Sequence, residues 1–463
     1  MGNNELGVSG PSGHGPSGRG SSDNVGHVAW RLAADYLVVP GRSELLIPGG
    51  AIDIGADGRI VAAGAESDLG PAPDEVTRVS GVVMPGLINV HAHTPMTLVR
   101  SAADGLPLAQ WLQEGVWPLE GQMGSDDARA GMLSGSIEML LNGITTSCEM
   151  YLHEEAVIDA ITQSGSRCVV HPGIISALAP GGDTSPRIAE IVDLHRRYHN
   201  PDSLVTVGFG PHSVYDLSPE QLADIGVAAA ELDAVVQIHL EETQAERELV
   251  IERHGRSATQ ILADSGVLDG RLLAAHGVWL SDEDAHLLVD SNSAMAHCPE
   301  SNLKLGSGIA RVADLRQMGL TIGIGTDGPA SNDDLDLWSE MRMAVLLARG
   351  SKHDSGVMSA ADAIEMATID AAKSLALSNV GAFEPGYFAD VIRVDLQAPA
   401  FQPLVEDRLL TQLVFAGSPA AVTDVWVAGN QVVADNRHTS VDIEAAHRDV
   451  TARAHRLIAE AAG

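Results

Sequence analysis

The most chemically loaded stretch of the chain is His91-Ala92-His93, at the end of the apolar run Val82 to Val90. Alternate residues of an extended strand project to one face, so both imidazoles of a His-x-His point toward a common ion. Neutral imidazole is a favoured ligand of divalent transition metals. A third comes from His239, in Val235-Val236-Gln237-Ile238-His239, and a carboxylate from Asp327, in Ile322-Gly323-Ile324-Gly325-Thr326-Asp327-Gly328. Three imidazoles and one carboxylate leave a coordination position for water, which a divalent ion acidifies toward neutrality. Glu242, three residues beyond His239, is placed to shuttle a proton beside that water, and His276, ending Leu272-Leu273-Ala274-Ala275, to ligate the ion or hydrogen-bond the water. Each also has a plainer reading: Asp327-Gly328 as a turn, Glu242 as a solvated loop acid, His276 as a core histidine. His212, in Gly208-Phe209-Gly210-Pro211-His212-Ser213, touches substrate or holds a loop, and His297 is read as structural.

These residues are far apart in the chain, so a scaffold must collect them. Apolar runs of five to eight residues end near His93, Glu149, His171, His212, Glu242, His276, His297 and Asp327. Between them lie segments such as Pro219 to Ile225 and Ser281 to Leu288, which open with Ser, Pro and acidic residues as helix N-termini do. Eight strand-plus-helix units predict an α/β fold, a (β/α)8 TIM-type barrel over residues 85–384, with its chemistry at the carboxyl ends of the strands. Short strand-like runs with tight turns over 27–84 and 385–440 predict one small β-sandwich domain made from both terminal segments. Residues 441–463 read as a C-terminal helix. Residues 1–26, rich in Gly, Ser and Pro, predict a tail too poor in apolar groups to order itself.

Bulk properties narrow the function. With 463 residues, 45% of them hydrophobic, the chain can bury a large core. A formal net charge of -34 argues against nucleic acid and anionic membranes as partners. Only three lysines occur, Lys304, Lys352 and Lys373, none in the first five strands. A two-metal centre bridged by a carbamylated strand lysine therefore cannot be built, and one divalent ion is expected. Cys148, Cys168 and Cys298 show neither Cys-x-x-Cys spacing nor a disulfide framework, which suits a reducing compartment. No signal peptide or apolar span is visible, so the expected location is the cytoplasm and the expected partner a small-molecule substrate. A homo-oligomer is expected, as is common for barrels of this kind.

Together these residues resemble the amidohydrolase superfamily, over residues 27 to 440, in the branch of amino-heterocycle deaminases and chlorohydrolases. The resemblance rests on Pro85-Gly86-Leu87-Ile88-Asn89-Val90-His91-Ala92-His93-Thr94-Pro95-Met96-Thr97, Gly208 to Ser213, His239-Leu240-Glu241-Glu242-Thr243, His297 to Gly308 and Gly325 to Asn332. It is strongest to 5'-methylthioadenosine/S-adenosylhomocysteine deaminases, through Leu106 to Gln113 and Val116-Trp117-Pro118-Leu119-Glu120. The resemblance implies a Zn2+ ion on His91, His93, His239 and Asp327 and release of ammonia from an aminated N-heterocycle. In that scheme Glu242 protonates the ring nitrogen, Asp327 moves a proton toward the leaving amine and His276 orients the nucleophile. It also implies that Trp111 packs on a nucleoside and Glu120 accepts its hydroxyls; the alternative is an amphipathic helix with Trp111 and Trp117 in the core. Family members binding a homocysteine tail resemble one another in an arginine after the third strand, where this chain reads Pro172-Gly173. Arg187 matches a second such arginine. The same centre also fits triazine, pterin or guanine-type substrates, or hydrolysis of a cyclic amide or imidazolone.

Overall fold

The computed structural model describes residues 27–461; the tail over 1–26 lies outside the described residues. Two parallel sheets form the centre. In the first, Leu87–Ala92 pairs with Ile144–Tyr151, which pairs with Arg167–Ile174, which in turn pairs with both Val205–Val207 and Gly210–Pro211. The second runs Val235–Leu240, Arg271–His276, Ala294–His297 and Thr321–Ile324. Parallel bridges link the two sheets at both edges: Phe209 with Val236 and Ser213 with His239 on one side, Ala92 with Asp327 on the other. The Gln237 N–H donates to Phe209 O at 2.8 Å and the Asp327 N–H to His91 O at 2.9 Å. The coarse expectation of an α/β fold with parallel strands agrees with this arrangement.

The apolar runs make strands because both faces are covered. All six residues of Leu87–Ala92 are buried, as are all eight of Arg167–Ile174. Such strands are largely apolar on both faces, and their polar residues, Asn89, His91, Arg167 and His171, are buried with the rest. The intervening helices start where the sequence placed them. In Pro219–Glu231 the Ser218 hydroxyl accepts from the Gln221 N–H at 3.3 Å while Gln221 Oε1 accepts the Ser218 N–H at 2.8 Å, and Ser281 caps Asp282–Asp290 in the same way.

Both ends of the chain enter one mixed sheet of nine strands. Its order is Arg437–His438, Asn430–Ala434, Val422–Val427, Val391–Val394, Glu75–Pro85, Val28–Val38, Gly50–Gly55 and Ile60–Ala65, with Leu46–Pro48 also on Val28–Val38. Glu75–Pro85 is its centre, parallel to Val28–Val38 and antiparallel to Val391–Val394. After Pro85 the chain passes through Gly86 into Leu87–Ala92, so the terminal sheet leads straight into the strand bearing His91. A Cβ on Gly86 would fall 2.2 Å from Thr145 Oγ1, which is why only glycine fits this junction. The last helix, Ile443–Ala461, packs on the helix Ser125–Leu141 and on the Thr94–Val99 turn that follows His93. Among the described residues no helix is long and apolar enough to cross a membrane.

Two strands run further than the sequence indicated. Glu149 lies two residues inside Ile144–Tyr151 and His171 three inside Arg167–Ile174. A polar residue ends an apolar run without ending the strand when a partner waits inside. His171 Nδ1 sits 3.3 Å from Cys148 Sγ, and Glu149 accepts the Thr94 N–H at 2.8 Å and its hydroxyl at 2.7 Å.

Candidate metal centre

The carboxyl ends of the first, fifth, sixth and last parallel strands converge. His91 is fully buried near the end of Leu87–Ala92, His93 follows one residue past it, His239 lies in Val235–Leu240, His276 ends Arg271–His276, and Asp327 follows Thr321–Ile324. Asp327 Oδ1 is 3.4 Å from His91 Nε2 and 3.3 Å from His93 Nε2, and His239 Nε2 is 3.3 Å from His93 Nε2. Ligand atoms of His91, His93 and Asp327 lie within 4.8 Å of one another, as do those of His91, His239 and His276.

The rings are oriented from behind. His93 Nδ1 lies 2.6 Å from Met150 O and His239 Nδ1 2.9 Å from His212 O. A carbonyl can only accept, so each Nδ1 carries the proton and each Nε2 presents a lone pair to the centre. Asp327 is handled alike: its Oδ2 accepts from the Ser301 hydroxyl at 2.6 Å and the Ser331 hydroxyl at 2.8 Å, leaving Oδ1 to face the imidazoles. Its backbone φ of +62° is a left-handed conformation that the Asp327 N–H to His91 O bond holds.

These groups fit a divalent cation. His91 Nε2 is buried without a hydrogen-bond partner, and the lone pairs of His93 and His239 face each other across 3.3 Å. Two ring nitrogens at that spacing need a proton or a cation between them, and the surrounding imidazole and carboxylate donors suit a divalent ion. The electrostatics carry the same demand. Burial opposes a charge on His93, yet Asp327 and the Met150 carbonyl lift it to about 9, whereas burial pushes His91 down to about 4. Burial also pushes the Asp327 carboxyl up, but the adjacent imidazoles outweigh it and hold it well below the carboxylate range.

Glu242 stands beside this centre, 5% exposed, its Oε1 accepting from Ser307 at 3.1 Å and its Oε2 3.8 Å from His276 Nε2. Burial raises its pKa, and Asp327 adds to the rise against the pull of His276. Glu246 accepts the N–H groups of Glu241 and Glu242 at 3.0 and 2.9 Å, fixing the turn after the fifth strand. His276 Nδ1 lies 2.9 Å from Asn302 Oδ1. His212 packs its ring 5.0 Å from that of His239 and supplies the carbonyl that orients it, so it serves the site with its backbone as well.

The remaining sequence candidates divide. Trp111 is 5% exposed in an apolar cluster with Met96, Val99, Val116 and Ala330, its indole N–H donating to Ala102 O at 3.0 Å. Glu120 is lifted by burial against hydrogen bonding from Tyr151, and lies within electrostatic reach of His93. Trp117 corrects the core alternative: half of it is exposed. Arg187 stands apart, bonded to Glu154 and to Gly173 O at 3.1 Å, on the wall of a separate cavity of about 250 Å³. Sequence reasoning assigned no roles to Ser301, Asn302, Ser307 and Ser331. All four lie in the two motif stretches after the seventh and eighth strands, where a cluster of small polar residues was the available signal.

The family model described as Amidohydrolase family matches residues 82–432. A 5-methylthioadenosine/S-adenosylhomocysteine deaminase of Desulfitobacterium hafniense (strain Y51) is 37% identical over 418 residues, 89% of this chain and 95% of that protein. A 5'-deoxyadenosine deaminase of Methanopyrus kandleri is 34% identical over 403 residues, 86% of this chain and 93% of its own. The crystal structure of an adenosine deaminase from Xanthomonas campestris with bound zinc superposes with a TM-score of 0.87 at 32% identity, covering 93% of this chain and 98% of that one. The chain belongs to the amidohydrolase family.

Proposed function

We propose that the protein hydrolytically deaminates an aminated N-heterocycle, taking an adenine nucleoside such as 5'-methylthioadenosine, adenosine or S-adenosylhomocysteine and releasing ammonia. The observation that carries this reading is the buried acid Glu242 set beside four convergent ligands, His91, His93, His239 and Asp327. The names of the similar deaminases from Desulfitobacterium, Methanopyrus and Xanthomonas support the substrate class.

In this reading His91, His93, His239 and Asp327 hold one Zn2+ ion, which when bound supplies Lewis acidity and brings the pKa of a water toward neutrality. Glu242, whose carboxyl burial pushes upward, gives its proton to the ring nitrogen next to the carbon under attack. His276, its Nδ1 proton committed to Asn302, offers Nε2 as an acceptor and aligns the attacking water. Asp327 Oδ1 takes a proton from that water and passes it to the departing nitrogen. The water oxygen bonds to the ring carbon, the exocyclic carbon–nitrogen bond breaks so that ammonia leaves, and the Glu242 carboxylate takes the remaining hydroxyl proton as the ring carbonyl forms. Trp111 and Glu120 form the wall facing the sugar, with His212 beside them. Arg187 already has Glu154 as its partner, which weighs against its holding a substrate carboxylate.

The scaffold we infer is a closed (β/α)8 barrel over 85–384, supported by the bridges at both sheet edges. The nine-stranded sheet from 27–84 and 385–440 forms a β-sandwich domain around Leu32, Ile52, Val83, Val391 and Trp426, and the helix from 441 onward closes the chain. We place the protein in the cytoplasm as a homo-oligomer without nucleic-acid or membrane partners. The test is ammonia release by zinc-loaded protein from adenosine, 5'-methylthioadenosine, S-adenosylhomocysteine, guanine and triazines. Turnover of the adenine nucleosides is expected; ammonia from guanine or triazines alone overturns the nucleoside assignment.

A further inference from the structure

The C-terminal helix Ile443–Ala461 buries a single side chain, Leu457, and buries it completely. Leu457 enters the cluster that holds Met96, Leu98, Val99, Trp111, Val116 and Met123. Those residues come from the turn that follows the metal-centre residue His93 and from the 108–123 segment bearing Trp111 and Glu120. Val450, Arg453, Arg456 and Leu457 recur at three- and four-residue spacing, so they share one face of the helix. Val450 packs on the same cluster. Arg453 donates to Asp127 Oδ1 at 2.9 Å and Arg456 at 2.6 Å, while Asp127 Oδ2 accepts the Gly124 N–H at 3.0 Å. Asp127 thereby ties the end of the 108–123 segment to the C-terminal helix. Beside it, the helix Ser125–Leu141 packs closely on the turn after His93: a Cβ on Gly131 would lie 2.3 Å from Pro95 O.

We propose that Leu457, Arg453 and Arg456 are positioning residues, a clip by which the C-terminal helix holds Trp111 and Glu120 against the substrate without touching the metal centre. The claim rests on the functional reading above for what the wall contacts, but the clip itself is a property of the fold. The helix sits on the outer side of the apolar cluster, more than three hundred residues along the chain from the segment it holds. Loosening it frees the substrate wall and leaves in place the parallel strands that position the metal-centre groups.

The test uses full-length, zinc-loaded protein carrying Leu457→Ala, Leu457→Met, or Arg453→Gln with Arg456→Gln. Metal content, kcat and KM for 5'-methylthioadenosine, and amide hydrogen exchange are measured on each. Leu457→Ala and the double arginine variant are expected to raise KM roughly tenfold or more with kcat nearly held. Exchange should quicken over 108–123 but not in the parallel strands, and Leu457→Met should restore both readings. Unchanged exchange over 108–123, or exchange quickened equally throughout the strands, overturns the clip. Quickened exchange in the segment with KM unmoved overturns its role in holding substrate. The exchange measurement needs no turnover, so it decides the clip even if the nucleoside reading fails.

Discussion

Asn302 Oδ1 accepts the Nδ1 proton of His276 across 2.9 Å, and this bond decides which nitrogen of the imidazole faces Glu242. His276 has a left-handed backbone, φ +72°, and Asn302 holds its ring by the Nδ1 bond. Asn302→Ala leaves the ring free to turn and to change tautomer. Turnover is expected to fall by roughly 10- to 100-fold, in the range seen when partners that orient a site histidine are removed. Metal content should stay within error of the parent, because Asn302 bonds none of the four proposed ligands. Steady-state kinetics with parallel metal analysis checks this, and a variant at full kcat refutes the orienting role.

Glu242 is the only proposed proton carrier whose removal leaves every ligand in place. Its Oε1 is held by Ser307 at 3.1 Å, so Glu242→Gln keeps the shape and one hydrogen bond but cannot give up a carboxyl proton. A loss of about 10²- to 10⁴-fold in kcat is expected, with substrate binding retained. Single-turnover measurement of ammonia separates this outcome from slow product release. Ser307→Ala should cost far less, since the carboxyl group remains.

The sequence made some of this visible and hid the rest for physical reasons. His91 and His93 were legible because strand alternation is a local rule: two residues apart means one face. The starts of Pro219–Glu231 and Asp282–Asp290 were legible because Ser218 and Ser281 cap within four residues of themselves. Glu149 and His171 were misplaced at strand ends because their partners, Thr94 and Cys148, are distant in sequence. The engagement of Arg187 by Glu154, the donation of the Ser301 and Ser331 hydroxyls to Asp327, and the burial of Leu457 are likewise facts of three-dimensional proximity. None can be read from spacing alone. The exposure of Trp117 is similar, since an aromatic residue beside a site looks the same in sequence whether it packs inward or faces water.

Stripping the ion should destabilise as well as inactivate the protein. His91 Nε2 has no hydrogen-bond partner, and the His93 and His239 Nε2 atoms face each other at 3.3 Å, so the emptied cluster must take up a proton or leave lone pairs unmet. A ligand bound only by the folded state stabilises it by about 2.7 kcal/mol at a hundredfold excess over Kd. Dialysis against a chelator is expected to abolish ammonia release and lower the thermal midpoint, and added Zn2+ to restore both. Asp327→Asn should blunt the stabilisation by Zn2+, because the amide removes the only anionic ligand. A thermal midpoint indifferent to chelator and to Zn2+ would remove the metal centre from the fold's energetics.

His195 gives a pH dependence that is independent of the metal. It lies in the helix Ser185–Tyr198, away from the four ligands, with its Nε2 buried and unpartnered and its ring stacked on His199 at 4.1 Å. Burial, then the charges of His199 and Arg196, push its pKa from 6.5 down to about 4. The folded state therefore keeps this ring neutral while the unfolded chain protonates it. Between pH 6.5 and about 4 the unfolded state binds the extra proton, so stability falls as pH is lowered through that window and is insensitive to this group above it. The contribution to the slope is at most about 1.4 kcal/mol per pH unit. Denaturant titrations of the parent and His195→Gln at pH 7.5, 6.0 and 5.0, both chelator-treated, isolate it. The variant should lose less stability between pH 6.0 and 5.0, whatever its stability at pH 7.5. Equal losses would show that His195 is freely protonated in the fold.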